Sequence, residues 1–111
     1  MSENKKVNVD ELLAKVPTGL LINGEWVDAA DGSTFDVENP ATGEVIATLA
    51  SATSEDAKKA MDAACAVQDE WARTSTRERS ELLRRAFELV QERKDEFATL
   101  MTLEMGKPLA E

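Results

Sequence analysis

Along this chain the apolar positions change their period once, near Ala52, and the change separates a strand-forming half from a helix-forming half. In the first half, Leu20-Leu21-Ile22 and Glu25-Trp26-Val27 flank Asn23-Gly24, a dipeptide that accepts two positive φ angles and predicts a tight hairpin. Asp31-Gly32 marks a second turn. Phe35 and Val37 then alternate with Thr34, Asp36 and Glu38, and Asn39-Pro40-Ala41-Thr42-Gly43 forms a third turn. The stretch from Glu44 to Ala50 reads as a strand with both faces fairly apolar, so this ribbon is expected to lie against something. Upstream, Val7, Val9, Leu12 and Leu13 are material for a short helix beginning at Asn8 or Asp10 and stopped at Val16-Pro17-Thr18-Gly19. Residues 1–19 are therefore an N-terminal arm or a short docked helix, with Met1 to Lys6 loosely attached.

Beyond Ala52 the period is helical. Thr53 or Ser54 caps a helix whose first turn holds Glu55 and Asp56, where negative charge suits the exposed N–H groups. Ala57, Ala60, Met61, Ala64 and Trp71 follow on one face, with Cys65 beside them. Ser75 and Glu78 have capping-box spacing, and Leu82, Leu83, Ala86, Phe87 and Val90 make the stripe of a second helix. At Arg93-Lys94-Asp95 that stripe is interrupted. The helix bends there, or it ends and Asp95 caps a third helix carrying Phe97, Leu100 and Met101 to a stop at Gly106, with Pro108 blocking continuation. The fold class is thus a small antiparallel β-ribbon (20–50) followed by two or three amphipathic helices (54–106). Glu111 falls straight after a helix stop with no closing element, and the expectation is that more chain belongs after it.

Composition narrows the chemistry. The 111 residues include 22 acidic against 13 basic side chains, a net charge of −9, and no histidine. Without histidine there is no Ser-His-Asp triad, no Cys-His pair and no imidazole metal ligand. An acidic chain whose basic residues are interleaved with Glu and Asp is a poor match for nucleic acid. No apolar run approaches the length of a signal core or a membrane span, so a soluble, cytoplasmic protein is expected, with no membrane partner. The lone thiol, Cys65, sits mid-helix among alanines with Asp62 and Asp69 nearby, and is read as a packing residue rather than a nucleophile. The glycines have neither dinucleotide-fingerprint nor phosphate-loop spacing, and the carboxylates of the second helix sit three or four residues from a basic partner, as on a solvated face. The chain therefore offers no catalytic and no cofactor-binding residue. Glu104 is the misfit, a negative charge on the last turn of a helix, where it opposes the macrodipole.

Four segments carry a resemblance to a known family: Ile22-Asn23-Gly24-Glu25-Trp26-Val27; Val37-Glu38-Asn39-Pro40-Ala41-Thr42-Gly43-Glu44-Val45-Ile46; Trp71 with Arg77-Glu78-Arg79; and Leu103-Glu104-Met105-Gly106-Lys107-Pro108-Leu109. In this order and spacing they resemble the opening of the aldehyde dehydrogenase superfamily, most nearly the NAD(P)-dependent succinate-semialdehyde dehydrogenases. The resemblance implies an α/β parent, with residues 20–111 forming an incomplete N-terminal part of its nucleotide-binding domain. It implies NAD or NADP as cofactor of the complete protein, a homo-oligomer, and oxidation of succinate semialdehyde to succinate, with this segment inactive alone. It also implies a structural monovalent cation held by the backbone carbonyl of Glu38 and the side chain of Glu104. The family's nucleophilic cysteine and general-base glutamate lie later in the chain, so Cys65 inherits neither role. The competing reading is an independent, non-enzymatic protein-binding module or a degenerate remnant.

Overall fold

The computed structural model describes residues 7–111. Helix α1 (Val9–Lys15) is capped by Asn8, whose side chain accepts the Glu11 N–H, and its Lys15 pairs with Glu96 at 2.6 Å. Two separate antiparallel hairpins follow. Strands β1 (Leu20–Ile22) and β2 (Glu25–Val27) pair Leu21 with Trp26 around Asn23 and Gly24, whose φ values of 52° and 78° are the two left-handed residues of a type I′ turn. Strands β3 (Thr34–Glu38) and β4 (Val45–Ala50) pair Phe35 with Leu49 and Val37 with Ala47. The register then slips, so that Glu38 faces Val45 and Ile46 is the extra residue of a bulge. The expected antiparallel ribbon is present as two two-stranded sheets, and the Ala50 N–H at the end of β4 donates to the Thr18 carbonyl just before β1 at 2.9 Å.

Three helices complete the described chain: α2 (Ser54–Arg73), α3 (Thr76–Glu92) and α4 (Lys94–Met105). Thr53 caps α2 in a full capping box with Asp56. Ser75 makes half of the expected box on α3, its hydroxyl accepting the Glu78 N–H at 3.1 Å. The expected cap at Asp95 is corrected. Arg93 ends α3 and opens α4 without any side-chain capping bond, and Asp95 lies inside the first turn of α4. A one-residue junction leaves no extended residue in which an Asx cap could form.

The described residues do not close around a core. Leu12 and Ala29, 3% and 6% exposed, are the buried apolar residues among them, whereas Leu83 is 73% exposed and Phe87 61%. A radius of gyration of 17.3 Å compares with about 13 Å for a compact domain of this length. The accessible surface is 8900 Å², against about 6000 Å² for a folded monomer of this size. The expected helical stripes form, but the chain itself does not cover them. Cys65 is the plainest correction: it is exposed, because nothing among the described residues packs on its side of α2.

Candidate functional site

The best-organised polar site is at the start of α2. Asp56 is 3% exposed and accepts four hydrogen bonds: the Ala30 N–H reaches both carboxylate oxygens at 3.1 Å, and Thr53 gives its N–H at 2.9 Å and its hydroxyl at 3.0 Å. The Thr53 N–H, then the Ala30 N–H, hold the Asp56 carboxyl below the usual range, against the opposing effect of desolvation. Nearby, the Ser33 hydroxyl and then its N–H lower Asp31 in the same way. Both carboxylates are occupied by backbone N–H and hydroxyl donors. This is a brace that fixes the 28–33 loop to the helix start, not a pair poised for proton transfer.

A second site is the corner where the β3–β4 turn meets the end of α4. The Asn39 side chain accepts the Ala41 N–H at 2.9 Å, and the Asn39 carbonyl accepts from Gly43 at 2.7 Å and Thr42 at 3.2 Å, which makes the turn rigid. Gly106 ends α4 with φ of 78°, and a Cβ placed on it would come within 3.4 Å of the Pro40 ring. That approach brings the segments carrying Glu38 and Glu104 to one corner. Both residues are exposed, and no ion pair forms to Glu104 among the described residues. One carbonyl and one carboxylate are oxygen donors of the kind a hard cation takes. Among the described residues, however, no group of three His, Cys, Asp or Glu side chains gathers there or elsewhere.

Two open grooves lie elsewhere on the surface. One, of about 370 Å³, lies between α1 and α4, where Leu12, Val16, Pro17, Phe97 and Leu100 are joined by Lys15, Arg93 and Glu96. The other, of about 510 Å³, runs between the β1–β2 hairpin and α2, past Leu21, Ile22, Asn23, Ala60, Ala64 and Val67. In the first groove the charged groups Lys15 and Glu96 are paired with each other at 2.6 Å.

A chain with this fold can be placed by its relatives. The sequence model of the aldehyde dehydrogenase family matches residues 26–111. The chain belongs to the aldehyde dehydrogenase family. It is 69% identical over 67 residues to the succinate-semialdehyde dehydrogenase of Paenarthrobacter nicotinovorans, covering 60% of this chain and 15% of that one. With the glutarate-semialdehyde dehydrogenase of Pseudomonas putida it shares 50% identity over 90 residues, 81% of this chain and 19% of the relative. Among solved structures, the betaine aldehyde dehydrogenase of Staphylococcus aureus in complex with NAD+ superposes with a TM-score of 0.85 at 37% identity, over 89% of this chain and 20% of that one. An NADP-dependent enzyme of E. coli gives the same TM-score at 40% identity, over 95% and 21%. This aldehyde dehydrogenase chain thus spans about a fifth or less of the length of these relatives, and its α/β fold is that of the matching part of theirs.

Sequence reasoning placed Asp56 in the first turn of its helix but missed its tie to Ala30, and it missed Arg79. Asp56 stands at the third helical position after Thr53, a spacing that signals a capping box, but its bond to Ala30 spans 26 residues and has no local signal. Arg79 falls in the apolar stripe of α3, at the spacing of Leu82, Leu83, Ala86 and Val90, and that misplaced charge was readable. No helix among the described residues is long and apolar enough to cross a membrane.

Proposed function

We propose that this sequence is the scaffolding edge of an NAD(P)-dependent aldehyde dehydrogenase whose complete polypeptide oxidises succinate semialdehyde to succinate. The 69% identity over 67 residues to a succinate-semialdehyde dehydrogenase is the observation that carries it. Residues 20–111 contribute the first part of the nucleotide-binding domain, and the complete protein is a cytoplasmic homo-oligomer. It uses NAD or NADP, a reading supported by the NAD+ complex of the S. aureus relative and the NADP dependence of the E. coli one, and the cofactor is held by residues outside this segment. There a thiolate adds to the aldehyde carbon, hydride passes to the nicotinamide, and water activated by a glutamate hydrolyses the thioester. The role of the present residues is positional: the Asp56 brace and the two hairpins hold the edge against which the rest of the domain is built. The Glu38 carbonyl and the Glu104 carboxylate supply two oxygens toward a structural monovalent cation, and further oxygens would have to come from elsewhere.

A self-contained binding module is a weaker reading, because nearly all large apolar side chains of α2 and α3 remain in solvent. The test has two steps. Reading the gene past the Glu111 codon should reveal several hundred further codons, and the purified complete protein should reduce NAD+ or NADP+ with succinate semialdehyde. A stop codon after Glu111 would sink the proposal. Faster turnover of glutarate semialdehyde or betaine aldehyde than of succinate semialdehyde would sink the substrate assignment alone.

A further inference from the structure

Helix α3 is divided sharply by charge. At 3.6 residues per turn, Leu82, Ala86, Val90, Leu83 and Phe87 sweep an arc of about 140°. The opposite face carries Arg77, Arg84 and Arg85, tied to Glu81, Glu88 and Glu92 in ion pairs of 3.2 to 3.9 Å. Arg79 breaks the division, since it lies near the middle of the apolar arc. Its Nε is shielded from solvent and meets no acceptor, and the side chain makes no ion pair among the described residues. A guanidinium on an apolar face is costly once that face is covered, unless a counter-charge arrives with the cover.

The cover has to be large. The chain exposes roughly 2900 Å² more surface than a folded monomer of its size, an amount in the range of an obligate contact rather than a transient one. A second copy of this chain is a poor occupant, because each copy brings a net charge of −9. The relatives, by contrast, carry about four-fifths of their length outside the matched region.

We propose that Arg79 pairs with a carboxylate on the polypeptide that supplies those remaining four-fifths, at the centre of an apolar contact made by α3. This rests on the function proposed above and adds its specific anchor. Arginine suits the position because its planar fork can bind a carboxylate through two parallel N–H donors.

The test uses the complete protein. Hydroxyl-radical footprinting should label Leu82, Leu83 and Phe87 several-fold more slowly in the native protein than after unfolding. Arg79→Met should lower the thermal midpoint, Arg79→Lys should recover part of the loss, and Arg84→Met, on the polar face, should change little. Full labelling of the three residues in a native, active enzyme overturns the inference while leaving the proposed function intact. Protection of the face with Arg79→Met no worse than Arg84→Met overturns the ion pair. Protection with the expected loss in Arg79→Met, in a protein without aldehyde-oxidising activity, supports the anchor and removes the function.

Discussion

Asp56, in the first turn of α2, holds the Ala30 N–H in a fork, with both carboxylate oxygens 3.1 Å from it across 26 residues of chain. The same carboxylate takes the N–H and hydroxyl of Thr53, so one side chain caps a helix and closes a loop together. Asp56→Asn keeps the size but replaces one acceptor oxygen with a donor facing N–H groups. The expected outcome is a lower unfolding midpoint and faster amide exchange at Ala30, both larger than for Asp62→Asn, whose partner Lys58 lies on an exposed face. Equal effects of the two substitutions would contradict the bracing role.

The pH dependence follows from the same bonds. The folded Asp56 carboxyl lies below its ordinary 3.8, so it contributes stability that is fully present above that value and is lost as pH falls through the lower folded value. Urea midpoints should therefore fall in acid below the ordinary carboxylate range. Asp56→Asn should flatten part of that fall, leaving the share that Asp31 contributes. The carboxyl carbon shift of Asp56, followed by NMR, should titrate below those of exposed aspartates.

Gly106 closes α4 in the left-handed region, its N–H donating to the Thr102 carbonyl at 2.9 Å. An alanine there would cost about 1–2 kcal/mol for the backbone conformation, while its Cβ would meet the Pro40 ring at a contact distance of 3.4 Å. Urea unfolding of Gly106→Ala in the complete protein should show a loss of about that size. If the corner also holds a cation, the variant should respond less to added potassium or sodium than the parent does.

Cys65 is exposed on α2. In the isolated chain it should react with a thiol reagent at a rate comparable to that of the urea-unfolded chain. Marked protection in the native complete protein would show that the remaining polypeptide covers this side of α2.

Much of the local architecture was legible in the residues. Asn23-Gly24 set the β1–β2 turn, Thr53 set the start of α2 and Gly106 set the end of α4, because each acts through bonds within about four residues or through its own φ. The stripe of α3 was legible for the same reason, since helical period alone decides which side chains share a face, and the same period would have shown Arg79 within it. The order of four motifs carried the family. Only the tertiary structure joined Asp56 to Ala30 and brought Pro40 against Gly106, because those approaches depend on how distant segments are packed. It also reversed the expectation for Cys65: periodicity places a residue on a face, but whether that face meets solvent depends on what packs against it, and within these residues nothing does.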